Sequence, residues 1–153
     1  MARSEVIPWF NCFLSEVTYN DIIKPKKGSQ VGIDKNKIFV VDDDESVCRA
    51  LKCLLMTFGF DVETFSSGQA FFSAVSATDP GCLVLDIHLP GLDGWEVQRR
   101  LAVTGSQRQI IIISADKNGG LKEQALKAGA IGFLQKPFNE QELVGLINQA
   151  FSN

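Results

Sequence analysis

The chain has 153 residues, of which 45% are hydrophobic, and a net charge of −3. This length fits one globular domain plus a short additional segment. No stretch approaches the roughly 18 consecutive apolar residues that a membrane span needs, and the acidic balance from Ile38 onward, nine basic against fourteen acidic residues, disfavours direct nucleic-acid binding. The four cysteines lack the paired spacing of metal-binding motifs, so we expect reduced thiols in a cytoplasmic protein.

Residues 1–37 differ in pattern from the rest of the chain and form a predicted N-terminal leader and linker. Apolar residues recur at helical spacing in its first half, which favours a short amphipathic helix: Val6, Phe10, Phe13, Leu14 and Val17. Residues 20–37 are rich in Pro, Gly, Ser and charge, as linkers are. Two interpretations stay open, a leader without a function of its own and a helix that docks or forms dimers. The globular domain is assigned to residues 38–153.

From residue 38 onward, short apolar runs alternate with helical patterns. The predicted strands are 38–41, 61–65, 82–85, 110–113 and 131–134, and an amphipathic helix follows each. Predicted helix caps are Ser66 or Ser67 and Asn139, and Gly59 and Gly129 end two helices. Five strands alternating with five helices predict a parallel sheet with helices on both faces and right-handed crossovers.

Polar side chains follow four of the predicted strands. They are Asp42 and Asp43 after the first strand, Asp86 after the third, Ser114 after the fourth and Lys136 after the fifth. The carboxyl ends of parallel strands share one edge of the sheet, where ligands bind. Clustered carboxylates need a cation, and oxygen ligands suit Mg²⁺. A lysine and a hydroxyl can hydrogen-bond a phosphoryl group, and a carboxylate can serve as its covalent acceptor.

Each feature alone has a simpler explanation. An acidic run after a strand is typical of a helix cap, a Lys-Pro pair of a turn, and a serine at a strand end of a hydroxyl bonded to the backbone. What supports a functional site is the joint arrangement, because each group lies at the same end of a successive strand.

Four motifs carry a family resemblance, and they are VVDDDES, CLVLDIHLPGLDGWEVQRRL, IIIISA and AGAIGFLQKPF. At these residues the chain resembles the receiver domain of two-component response regulators, and it is similar to receivers of the FixJ/NarL type from Ile38 to Phe151. The resemblance implies a flavodoxin-like (CheY-like), doubly wound fold with five parallel strands in the order 2-1-3-4-5 and five helices. It also implies that Asp86 accepts a phosphoryl group from a sensor histidine kinase in a phosphorelay.

The resemblance further implies a metal site and a switch. Asp43 and Asp86 would bind Mg²⁺ directly with the backbone carbonyl of His88, while Asp42 would act through water and Lys136 would pair with the phosphoryl group. Two further expectations follow from the family: Ser114 is the switch hydroxyl, and Phe133 is the aromatic side chain that turns inward behind it. Asp44 has no family role and is expected to cap a helix. The output would be a changed surface on the fourth helix, fifth strand and fifth helix, through which similar receivers commonly form homodimers.

His88 and Asp116 occupy positions two residues after Asp86 and Ser114. In receivers, these positions flank the path of the water that hydrolyses the phosphoryl group and tune its lifetime. The alternative for His88 is a solvated loop side chain. The expected chemistry is limited to the domain's own phosphorylation and dephosphorylation, so we do not expect an enzyme with an external substrate.

Regulators of the FixJ/NarL type carry a DNA-binding output domain after the receiver, but only two residues follow Phe151 here. We therefore expect no direct DNA binding by this chain. It would act either as a single-domain receiver through a downstream protein or as part of a regulator with a missing output domain.

Two functional alternatives remain. One is a receiver-like interaction module that is never phosphorylated. The other is a phosphatase of the haloacid dehalogenase type, with Asp42 as nucleophile and Asp44 as acid/base. The phosphatase hypothesis would leave Asp86 without a role, and the chain offers no cap domain to exclude water.

Overall fold

The computed structural model describes residues 36–152. The strands are β1 (Lys37–Val41), β2 (Asp61–Phe65), β3 (Cys82–Asp86), β4 (Gln109–Ser114) and β5 (Gly132–Gln135). The helices are α1 (Glu45–Thr57), α2 (Gly68–Ala74), α3 (Gly94–Val103), α4 (Leu121–Lys127) and α5 (Glu140–Ser152). The predicted leader helix and Cys12 lie outside the described residues.

All neighbouring strands pair in parallel, in the order β2-β1-β3-β4-β5. The predicted flavodoxin-like strand order is therefore confirmed. Strand boundaries differ from prediction by one residue at several ends, and β5 covers 132–135 instead of 131–134. β1 begins at Lys37, one residue before the predicted start of the first strand at Ile38. The reason is that Lys37 pairs in register with Asp61, and its ammonium lies 3.4 Å from Asp61 and 3.2 Å from Glu63.

Side-chain caps fix the starts of three helices at residues that the sequence predicted. A carboxylate oxygen of Asp44 accepts a hydrogen bond from the backbone N–H of Ser46 (2.9 Å), and the hydroxyl oxygen of Ser67 accepts one from Ala70 (3.0 Å). Asn139 caps α5 by accepting from the N–H of Glu142 (2.8 Å). These bonds satisfy N–H groups that have no partner inside the helix.

The sheet is buried between two helical layers. One core layer contains Phe39, Phe71, Leu83, Leu85 and Ile112 and lies under α2, α3 and α4. The other contains Cys82, Val84, Ile111 and Ile113 with side chains from α1 and α5. Successive residues of β3 alternate between the two layers, because side chains of a strand alternate in direction. Apolar packing on both faces makes β3 a fixed support for Asp86, its last residue.

Candidate functional site

Three carboxylates meet at the carboxyl edge of the sheet. Asp42 and Asp43 follow β1, and Asp86 ends the neighbouring strand β3; one oxygen of each lies within 4.8 Å of the others. Asp42 is 1% exposed and Asp86 5% exposed, whereas Asp43 faces solvent. The sheet therefore presents two buried carboxylates beside an accessible one, all with oxygen ligands suited to a hard divalent cation.

Lys136 reaches this cluster from the loop after β5. Its Nζ lies 2.7 Å from Oδ2 of Asp42 and 3.7 Å from Oδ2 of Asp86. The other oxygen of Asp42 accepts a hydrogen bond from the backbone N–H of Asp44 (2.9 Å). Both oxygens of Asp42 are thus bound within the protein. Among residues 36–152, Asp86 by contrast receives one long hydrogen bond, of 3.4 Å, from the N–H of His88 on its Oδ1.

Burial and mutual repulsion perturb these groups. Burial raises the pKa of Asp86 to about 6, the nearby charge of Asp42 adds to the increase, and Lys136 opposes it. Burial likewise raises the pKa of Asp42 against the lowering effect of Lys136. Burial acts to lower the pKa of Lys136, but the charge and hydrogen bond of Asp42 outweigh it, so that pKa is raised. The ammonium group of Lys136 therefore lies between two carboxyl groups, Asp42 and Asp86, whose ionised forms are disfavoured by burial.

The loop after Asp86 is held close to the start of α3. The N–H of Gly94 donates to the carbonyl of Ile87 (2.8 Å), and a Cβ on Gly94 would lie 2.6 Å from the carbonyl oxygen of Asp86. Asp93 caps α3 by accepting from the N–H of Glu96 (3.0 Å). Only glycine permits this approach, so the helix terminus fixes the backbone that carries Asp86.

Ser114 lies at the end of β4, beside Asp86. It is fully buried, and its hydroxyl oxygen accepts a hydrogen bond from the N–H of Asp116 (3.0 Å). Its carbonyl accepts from the N–H of Lys136 (2.7 Å). Ser114 thus connects the loop after β4 to the backbone of Lys136.

His88 and Asp116 are brought into contact across the edge of the site. Nε2 of His88 lies 3.2 Å from Oδ2 of Asp116. Their placement at the rim was predicted, but their mutual contact was not, because the sequence does not give the distance between two loops 28 residues apart.

Phe133 is half-buried on β5 and packs against the core layer that contains Ile112. On the outer side of this strand a groove of about 510 Å³ runs between α4 and α5. Its apolar lining comes from Leu126, Ile131, Phe133 and Leu146. The groove lies on the surface that the sequence predicted to change.

Cys48 is a neighbour of the site that the sequence did not identify. Its thiol on α1 lies 3.2 Å from the backbone carbonyl of Asp42, and burial raises its pKa to about 12. The thiol donates a hydrogen bond that supports the loop after β1. The sequence does not specify the carbonyl that this thiol contacts.

A family model described as "Response regulator receiver domain" matches residues 38–148. The chain belongs to this family. The receiver is 44% identical over 113 residues to the response regulator protein TmoT of Ectopseudomonas mendocina, which covers 74% of this chain and 51% of that protein. It is 38% identical over 116 residues to the transcriptional regulatory protein FixJ of Bradyrhizobium diazoefficiens, and this match covers 76% of this chain and 57% of FixJ. The chain spans about half the length of the curated relatives it matches.

Solved structures show the same architecture. A response regulator receiver protein from Burkholderia phymatum is 40% identical with a TM-score of 0.67, and the match covers 76% of this chain and 94% of that one. A solved structure titled "BeF3 Activated DrrB Receiver Domain" is 27% identical, with a TM-score of 0.68 and with 76% and 97% covered. Among residues 36–152, the receiver has no helix of the length and apolarity required to cross a bilayer.

Proposed function

We propose that this receiver is a phosphorylation-activated switch of a two-component phosphorelay, with Asp86 as the acceptor of a phosphoryl group from a sensor histidine kinase. The observation that carries the proposal is the contrast between the two buried carboxylates. Asp42 has one oxygen on Lys136 and the other on the N–H of Asp44, whereas Asp86 makes only longer contacts. Of these two buried carboxylates, Asp86 therefore has the oxygen that is more available to a phosphorus atom.

The donor set fits Mg²⁺. Asp43 and Asp86, with the backbone carbonyl of His88, would hold the ion directly, and Asp42 would act through a water molecule. Three carboxylate oxygens within 4.8 Å supply the oxygen ligands and negative charge that this ion requires. When bound, the ion would neutralise charge on the phosphoryl oxygens.

Phosphoryl transfer needs little further chemistry from the protein. A carboxylate oxygen of Asp86 forms the new P–O bond while the P–N bond to the kinase histidine breaks, and its electron pair stays on the imidazole. Lys136 lies 3.7 Å from Asp86 and is placed to donate a hydrogen bond to the transferred group. Hydrolysis by water would return the carboxylate, with His88 and Asp116 tuning its rate.

The switch would follow from the added charge. A phosphoryl group brings close to two negative charges, and the hydroxyl of Ser114 would turn to donate to it. Phe133 would then move inward, and the surface of α4, β5 and α5 would change its affinity for a downstream protein or output domain. The receiver would work in the cytoplasm on its own phosphorylation state and act on no external substrate.

The test is intact mass spectrometry of the protein incubated with acetyl phosphate and Mg²⁺. We expect one phosphoryl adduct that disappears without Mg²⁺ and in Asp86→Asn, which keeps the shape of the side chain. No adduct in the unmodified protein would contradict the proposal and favour a phosphorylation-independent interaction module. The haloacid dehalogenase hypothesis would instead require turnover of a phosphomonoester that depends on Asp42 and not on Asp86.

A further inference from the structure

A pair of loop side chains bridges one side of the site. His88 belongs to the loop between β3 and α3, and Asp116 belongs to the loop between β4 and α4. Nε2 of His88 and Oδ2 of Asp116 are 3.2 Å apart, and the two side chains are 60% and 38% exposed. We call this contact the loop clasp. It connects the acceptor's loop to the loop that follows Ser114.

The same aspartate also controls the position of its own loop. Oδ1 of Asp116 accepts a hydrogen bond from the N–H of Asn118 (3.0 Å), while the N–H of Asp116 donates to the hydroxyl oxygen of Ser114 (3.0 Å). A displacement of this loop would therefore move the N–H group that faces Ser114. The loop clasp, the Asp116 backbone and the Ser114 hydroxyl form one continuous chain of contacts.

We propose that the loop clasp makes His88 and Asp116 positioning residues that hold Ser114 in the orientation of the unphosphorylated state and so oppose switching. The inference rests on the proposed function, because it concerns the same Ser114 movement. For the hydroxyl of Ser114 to turn toward a group on Asp86, it must either leave the N–H of Asp116 or take the loop with it. The first change loses the hydrogen bond from the N–H of Asp116. The loop clasp resists the second change, since it fixes that loop to the backbone segment that follows Asp86.

The expected size of the effect is modest. Partly exposed ion pairs and hydrogen bonds of this kind are weak, so releasing one shifts a two-state equilibrium by about two- to fivefold. A ligand that binds only the switched state gains affinity in proportion to the population of that state. We therefore expect the protein with an intact loop clasp to bind a phosphoryl analogue slightly more weakly than variants in which the clasp is broken.

The probe is beryllium trifluoride with Mg²⁺, because the solved DrrB receiver domain is a form activated by beryllium trifluoride. Binding would be measured on the full chain for His88→Ala, Asp116→Ala and the double variant. We expect each single variant to bind the probe about two- to fivefold tighter than the unmodified protein. The double variant should bind no tighter than the better single variant, because both substitutions break one contact. In a Ser114→Ala background the gain should disappear.

Charge and hydrolysis provide the rival explanations. Removing the negative charge of Asp116 by itself favours binding of an anionic probe. That increase in affinity would be equal with and without His88. Additive increases in the double variant would therefore overturn the proposal. A change in the dephosphorylation rate with unchanged affinity for beryllium trifluoride would overturn it too, and would leave only control of the hydrolytic water. Lys117→Ala is the matched control, because it alters an exposed residue of the same loop and leaves the clasp intact.

A second readout separates this inference from the proposed function. In the unphosphorylated protein, the N–H of Asp116 should exchange with solvent faster in His88→Ala than in the unmodified protein, and Lys117→Ala should not change it. If this exchange is unaffected, the loop clasp does not hold the loop. If the unmodified protein and all variants fail to bind the probe, the proposed function is rejected and the switching role with it, whatever the exchange rates show.

Discussion

Gly94 shows how one residue determines the geometry of the site. A Cβ at this position would lie 2.6 Å from the carbonyl oxygen of Asp86 and 2.7 Å from Cα of Ile87. Both are backbone atoms, so the clash could be relieved only by moving the segment that carries the acceptor. We expect Gly94→Ala to lower the free energy of unfolding by about 1–3 kcal/mol and to slow phosphorylation of Asp86 by acetyl phosphate.

The two effects are measured by urea unfolding and by mass spectrometry of the adduct over time. Gly145→Ala is the control, because a Cβ there meets nothing within 4 Å in the middle of α5. That variant should be as stable as the unmodified protein or more stable by about 0.5–1 kcal/mol. Equal stability and equal adduct formation in Gly94→Ala would show that the backbone adjusts without disturbing the site.

For individual residues of the site, the sequence predicted which side chains meet but not which pairs they form. Strand ends alone placed Asp42, Asp86, Ser114 and Lys136 at one edge, since parallel strands must share it. That Lys136 lies closer to Asp42 than to Asp86 depends on distances of 2.7 and 3.7 Å. Differences of this size come from side-chain packing, which strand periodicity does not specify.

Among the connections between elements, Arg108 joins the loop before β3 to the start of β4. It is 8% exposed, and its Nη2 donates to the carbonyls of Ser76 (2.7 Å) and Asp79 (2.5 Å). Its guanidinium carbon lies 5.3 Å from the ring centroid of Phe39 and 5.6 Å from that of Phe71. This anchor could not be predicted from the sequence, because a lone arginine before an apolar strand gives no sign of burial.

Arg108→Met keeps the apolar packing but leaves two carbonyls without their charged donor. We expect it to lower the free energy of unfolding by about 1–3 kcal/mol, as measured by urea denaturation. Arg99→Met is the matched control, because Arg99 is an exposed residue that pairs with Glu96 on α3, and its loss should change stability by less than about 0.5 kcal/mol. Similar losses in both variants would show that the two carbonyls of the loop do not depend on Arg108.

In the molecule as a whole, the candidate site and the surface proposed to change on phosphorylation lie at different places on the sheet. The candidate site lies at the carboxyl edge of the sheet, whereas the groove between α4 and α5 lies beyond the outer strand β5. Ser114 pairs in register with Gln135 on β5, and its carbonyl accepts from the N–H of Lys136. We therefore propose that a backbone displacement at Ser114 would be passed to β5 through these contacts. The strand order that makes this route possible was predicted from the family resemblance, while the contacts that form it required coordinates.

We expect the phosphorylated protein to dimerise through the groove between α4 and α5. Leu126 on α4 is 41% exposed and lines the groove with Ile131, Phe133 and Leu146. An exposed apolar group of this kind favours association when the surrounding surface becomes complementary. We expect the protein to elute earlier in size-exclusion chromatography after treatment with acetyl phosphate and Mg²⁺, and Leu126→Ser to abolish that shift while still forming the adduct on Asp86.

Val103→Ser is the control variant, because it tests whether loss of any exposed apolar side chain, and not only of one in the groove, abolishes dimerisation. Val103 is 73% exposed at the end of α3, away from the groove, so its replacement should leave the elution shift unchanged. If Leu126→Ser and Val103→Ser both keep the shift, the dimer forms through another surface. If the phosphorylated protein shows no shift at all, dimerisation through this groove is contradicted, and the proposed output would have to act on a different partner.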